Sequence, residues 1–205
     1  MTISRKPDTL LFDVGGVLME NCNVAPDVQQ YLGLPPETFN VLWPTQIELY
    51  GSGQISRAEF WQGLGDGDAE AASSFVQQLY RERLVVREEL QKYLLELKAG
   101  QAGVRLAILS DTNADHGEVL CAAGVYDFAD PGLVFLSYEI KQRKSQGVPV
   151  FRTALTRLNR EQTPEKILFI DDNQANLILA KQVGMRTLLA LNEQQIIDDL
   201  RETLK

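Results

Sequence analysis

The chain has 205 residues, 44% of them apolar, and a formal net charge of −8 at pH 7. That length supports one sizeable core with a smaller accessory lobe, and the acidic balance repels a nucleic-acid backbone or an anionic membrane on average. No apolar run approaches the roughly 18 residues of a membrane span, and the two cysteines, Cys22 and Cys121, lack metal-type spacing and fit free, buried thiols in a reducing compartment.

The first residues, MTISRKPDT, lead into an apolar run that Asp13 interrupts, so no leader segment is expected. Together these features predict a cytoplasmic protein, monomer or homodimer, with neither nucleic acid nor membrane as partner.

The first predicted element is a strand over residues 9–12, an apolar run that ends on Asp13 and breaks at Gly15 and Gly16. From residue 21 to about 87 the pattern turns helical and strandless. Phe39, Leu42, Trp43 and Ile47 recur at three- and four-residue steps, with Pro44 expected to bend or interrupt their helix. Ser56 followed by Glu59 forms a capping-box signature ahead of Phe60, Trp61 and Leu64. Phe39, Phe60 and Trp61 are expected in the core, whereas Trp43 and Tyr50 can face a pocket. "AEAASSFVQQLYRERL" and "REELQKYLLELKAG" are further amphipathic helices, the second stopping at Gly100.

Strands are next expected over residues 104–109, 133–136, 167–170 and 187–191, each a short apolar run. Between them, "ADHGEVLCAAG" stops at Gly124, "VPVFRTALTRLN" carries Pro149 near a first turn, and "NQANLILAKQVG" stops at Gly184. Strand and helix in alternation argue an α/β fold, a parallel sheet flanked by helices on both faces. The expected division is an α/β body of residues 1–20 and 88–205, interrupted by a helical domain of residues 21–87.

In an open parallel sheet, ligands collect beyond the carboxyl ends of the strands. The expected strands deliver Asp13, Ser110, and the pair Asp171 and Asp172 there, and the third is followed by a basic cluster with Lys141, Arg143 and Lys144. Crowded carboxylates repel unless a cation sits between them, and hard oxygen ligands suit Mg²⁺, which bridges readily to phosphate. A lysine and a hydroxyl supply positive charge and hydrogen bonding for a phosphoryl group. An Asp carboxylate can itself attack phosphorus, and paired glycines bring main-chain groups close to a metal or phosphate.

These segments resemble the motifs of the haloacid dehalogenase superfamily, in order and over nearly the whole chain: "FDVGGVL", "ILSDT", Lys144 in "KQRKS", and "FIDDNQAN". The resemblance implies a Rossmann-like core with a small helical cap after the first strand, close to sugar-phosphate phosphatases and the phosphatase domain of soluble epoxide hydrolase. It implies Asp13 as nucleophile and Mg²⁺ ligand, the Gly15 carbonyl and Asp172 as further ligands, and Asp171 supporting the metal waters or Lys144. Ser110, Lys144 and the Gly16 backbone would hold the phosphoryl group of a small phosphorylated substrate, with Asn176 bracing the last loop.

The sequence also departs from that pattern. Most such phosphatases carry Asp where Gly15 stands, an acid–base group worth ~10²–10⁴-fold, so alkyl phosphates should suffer most and acyl or aryl phosphates less. Asp111 replaces an Asn and stands beside the phosphate site. It enters that site, pairs with a cation or, the preferred reading, turns outward to cap the helix beginning near Asn113. Ser145 replaces a common proline, which leaves Lys141 open as the site lysine. His116, the single histidine, can either approach the pocket and replace the missing acid or sit at the surface. A Mg²⁺-dependent phosphatase is therefore expected first, then a degenerate binder of a phosphorylated ligand or protein. A metal-free carbon–halogen hydrolase comes last, since it gives Asp171 and Asp172 no role.

Overall fold

A computed structural model of the chain describes residues 6–100 and 103–205; the first five residues of the expected body lie outside it. Five strands form one parallel sheet: β1 (Thr9–Phe12), β2 (Arg105–Ser110), β3 (Val134–Leu136), β4 (Ile167–Asp171) and β5 (Arg186–Leu189), in the order β3-β2-β1-β4-β5. β1 is central, with Phe12 opposite Ile108 on one side and Ile170 on the other. Ten α-helices are present among the described residues. They are α1 (Ala25–Leu32), α2 (Pro36–Gly51), α3 (Arg57–Gly63), α4 (Ala69–Arg83), α5 (Glu88–Ala99), α6 (Ala114–Ala122), α7 (Ser137–Ile140), α8 (Val148–Arg157), α9 (Gln174–Gln182) and α10 (Glu193–Thr203).

The sheet is covered on both faces because strand side chains alternate with period two. Leu10, Phe12, Ile108 and Ile170 pack against Leu94 of α5, Leu120 of α6 and Ile196 of α10. Leu11, Leu109 and Phe169 face the other way, against Phe151 of α8 and Leu177 of α9. A third cluster belongs to the helical segment between β1 and α5, where Val28, Phe39, Phe60, Trp61, Leu64 and Val76 interlock.

Three sequence expectations are corrected here. The two thiols are free but not buried, Cys22 being half-buried and Cys121 exposed. Pro44 lies inside α2, which continues unbroken to Gly51. The lost hydrogen bond frees only the carbonyl of Asn40, and both residues are exposed, so that carbonyl is open to solvent. Trp43 and Tyr50 pack in the helical cluster and not on the cleft at the sheet edge: Trp43 stacks on Phe39, and Tyr50, 3% exposed, stacks on Phe60. The Ser56–Glu59 capping box forms as the sequence indicates.

One buried charge fastens the helical segment to the sheet body. Asp115, in the first turn of α6 and 1% exposed, accepts hydrogen bonds from the Tyr50 hydroxyl at 2.9 Å, Gln77 at 3.3 Å and the Ser73 hydroxyl. It also pairs with Arg57 Nε at 2.8 Å, while the same guanidinium reaches Glu118 at 2.7 Å. All four Asp115 partners sit on α2, α3 and α4. On the same helix, Ala114 and Val119 pack with the helical cluster and Leu120 with the sheet. A second junction joins the Ser137 hydroxyl to the Gly51 carbonyl at 2.6 Å.

Candidate active site

The carboxyl ends of β1, β2 and β4 bring Asp13, Asp111 and Asp172 to one edge of the sheet. There they line a cleft of about 550 Å³ with Lys144 and the amides of Asn21 and Asn176. Lys144 is 2% exposed, and its Nζ lies 2.8 Å from Asp13 Oδ1 and 2.9 Å from Asp171 Oδ2. Burial favours the neutral amine, but the Asp13 and Asp171 carboxylates outweigh it and hold the ammonium above the ordinary lysine range. Lys141 is exposed, in a left-handed backbone conformation at φ 57°, and does not line the cleft.

Asp171 is fully buried and saturated. Besides Lys144 it accepts from the Asn173 N–H at 2.7 Å and from Asn176 Nδ2 at 3.0 and 3.2 Å. Asp172 beside it is exposed. Carboxylate oxygens of Asp13, Asp171 and Asp172 lie within 4.8 Å of one another. Burial pushes the Asp13 carboxyl up to about 7, against the pull of Lys144 and with Asp171 adding repulsion. One ammonium therefore does not neutralise the cluster. The donors are hard oxygens without histidine or cysteine, a set that fits Mg²⁺. With Asp171 already saturated, Asp13 and Asp172 are the side chains free to hold such an ion.

The paired glycines are explained by close approach. Gly16 has φ +70°, and a Cβ there would fall 2.0 Å from Asp172 Oδ2, so the carboxylate rests against bare backbone. A Cβ on Gly15 would fall 2.6 Å from Asn21 Oδ1. Asn21 Nδ2 in turn donates to Asp172 Oδ2 at 3.3 Å.

Other expected residues fall differently. Asp111 does not cap α6; Asn113 does, accepting from the His116 N–H at 3.1 Å. The Asp111 oxygens accept the Lys144 backbone N–H at 2.9 and 3.1 Å, and one faces Arg143 Nε at 3.6 Å. The Asp111 carboxylate so engaged supports the lysine loop, while the residue lines the cleft. Arg143 also reaches Glu48 of α2 at 2.8 Å, tying that loop to the helical segment. Ser110 ends β2 at 3% exposure and does not line the cleft. His116 stacks on Tyr80 with ring centroids 4.3 Å apart and also stays out of it, so it does not stand in for the missing acid.

Sequence reasoning missed Asn21, Asp115 and the Glu48–Arg143–Asp111 chain. All three are defined by side chains from distant segments; only Asp115 left a trace, an acid in the first turn of a predicted helix.

A haloacid dehalogenase-like hydrolase family profile matches residues 7–184. Solved structures similar to the chain include the HAD family enzyme bt-2542 from Bacteroides thetaiotaomicron, with 21% identity and TM-score 0.78 over 95% of this chain and 99% of that one. The same enzyme in complex with magnesium and inorganic phosphate matches at 23% identity and TM-score 0.70, covering 89% and 93% of the two chains. A predicted HAD-like family hydrolase from Porphyromonas gingivalis matches at 22% identity and TM-score 0.73, covering 98% and 99%. No curated protein matches the sequence. The neighbours share its fold, and the profile, spanning most of the chain, shows that the chain belongs to the haloacid dehalogenase-like hydrolases.

Proposed function

We propose that the chain is a Mg²⁺-dependent phosphatase that hydrolyses a small phosphorylated metabolite, with sugar phosphates among the candidates, through a phosphoryl-aspartate on Asp13. The observation that carries this reading is the pairing of Asp13 Oδ1 with Lys144 Nζ at 2.8 Å inside a cluster of three carboxylates. Lys144 favours the ionised form of Asp13 and aims it, and its ammonium then meets the phosphoryl oxygens. Asp172, the Asp13 carboxylate and the Gly15 carbonyl would hold Mg²⁺, which when bound supplies positive charge to the transferring phosphoryl group. Asp171, fixed by Asn176, holds Lys144 in place. The Gly16 backbone completes the phosphate contacts in this reading, Ser110 at the end of β2 supports the cleft from beneath, and α1–α4 serve as the cap that screens it. A carbon–halogen hydrolase would leave the Asp13–Asp171–Asp172 cluster without purpose.

The test measures p-nitrophenyl phosphate hydrolysis with and without Mg²⁺ in the native chain and in Asp13→Asn. Turnover that requires both the metal and Asp13 is expected. Turnover that survives Asp13→Asn would overturn the proposal. Ligand binding without turnover on a broad phosphate panel would favour a degenerate binding protein, a reading that Gly15 motivates.

A further inference from the structure

We propose that Asn21 is the group that meets the departing oxygen, and that the substrates of this cleft are acyl phosphates. The proposal rests on the phosphatase reading above and adds to it a leaving-group residue and a substrate class.

The Asn21 amide fills the space into which any side chain on residue 15 would project, 2.6 Å from that Cβ position, and it lines the cleft beside Asp13. Its one side-chain hydrogen bond among the described residues goes to Asp172 Oδ2 at 3.3 Å, and the residue is exposed. A second amide N–H is therefore available to a ligand. An amide donates a hydrogen bond to a developing anion but cannot hand over the proton.

Among the described residues no other group lining the cleft is free to supply one, since Asp172 would be taken up by Mg²⁺ in the reading above. Lys144 is paired with Asp13 and Asp171, and Asp111 accepts the Lys144 N–H with both oxygens. Asn173, Gln174 and Asn176 offer only amides. His116 stacks on Tyr80 away from the cleft.

A leaving group in this cleft must therefore depart unprotonated. An acyl phosphate meets that condition. Asp13 Oδ forms the new bond to phosphorus, the bond from phosphorus to the acyl oxygen breaks, and its electron pair leaves on a carboxylate. Water then adds to phosphorus, the Asp13–phosphorus bond breaks, and both water protons remain on dihydrogen phosphate. Charge and protons balance with no acid or base from the protein. Lys144 is also the one cation lining the cleft among the described residues, so the acyl portion carries no second anionic group.

The experiment compares acetyl phosphate, aryl phosphates of graded leaving-group acidity and an alkyl phosphate, all with Mg²⁺, in the native chain, Asn21→Ala, Asn21→Asp and Asp13→Asn. In the native chain, kcat/KM should fall steeply with leaving-group basicity, the alkyl ester lying ~10²-fold or more below acetyl phosphate, the span of missing acid catalysis. Asn21→Asp places a carboxyl where the acid is lacking and should narrow that gap by about tenfold or more. Mg²⁺ affinity by calorimetry should stay the same in Asn21→Ala while its turnover falls. A flat leaving-group dependence in the native chain, or a Mg²⁺ affinity that falls with turnover in Asn21→Ala, would overturn this inference alone. Activity in Asp13→Asn would overturn the phosphatase reading beneath it.

Discussion

Asp115→Ala offers the sharpest test of how the helical segment is held. The substitution removes the acceptor for the Tyr50 and Ser73 hydroxyls and for Gln77, and strips Arg57 of its buried partner. Each hydroxyl left buried without an acceptor costs about 1–3 kcal/mol. Breaking a buried ion pair from one side costs about 3–5 kcal/mol, though Arg57 is 35% exposed and keeps Glu118, which lowers its share. A net loss of about 3–5 kcal/mol follows, much of a total stability of about 5–15 kcal/mol. Both tryptophans, Trp43 and Trp61, pack in the helical cluster, so urea melting by tryptophan fluorescence reports that segment while far-ultraviolet circular dichroism reports the whole chain. In Asp115→Ala the fluorescence transition should precede the dichroism transition. Coincident transitions shifted by less than about 1 kcal/mol would refute the argument, because that is the yield of an exposed pair.

The remaining predictions concern single sites. His116 is held down to about 4 by burial, so the unfolded chain binds its proton first; stability should decline as pH falls from about 6.5 to 4, by about 3 kcal/mol at most, and His116→Phe should flatten that limb in urea titrations. Pro44→Ala should stabilise the protein by about 1–3 kcal/mol in urea melts, since α2 regains a hydrogen bond at an exposed site; an unchanged midpoint would mean that water already satisfies the Asn40 carbonyl fully. Gly16→Ala should cost about 1–2 kcal/mol from its positive φ. Its methyl would also displace the exposed Asp172 carboxylate, so weaker Mg²⁺ binding in calorimetry should accompany a largely intact fold.

The sheet was legible because its strands are short apolar runs between helix signals, and a parallel sheet buries both of its faces. Boundaries slipped where side chains left the core. β5 ends at Leu189, short of the expected residue 191, because Leu191 is 67% exposed and Asn192 already caps α10. Lys144 over Lys141 needed the structure, since both lie in one basic stretch and only burial separates them. Asp111 was misread because two polar residues near the start of α6 compete for its N-cap, and Asn113 takes it while Asp111 reaches the backbone of Lys144. Asn21 left no periodic or motif signal; only the fold shows that its amide takes the space a side chain on residue 15 would need.

The double allegiance of α6 bears on engineering. This helix lends Leu120 to one hydrophobic cluster and Ala114 and Val119 to another, and carries Asp115 between them. Deleting the four helices before α5 would leave an apolar flank and an orphan carboxylate facing water on the remnant, inviting aggregation. Grafting in a lobe from a homologue therefore succeeds only if α6 travels with the transplant.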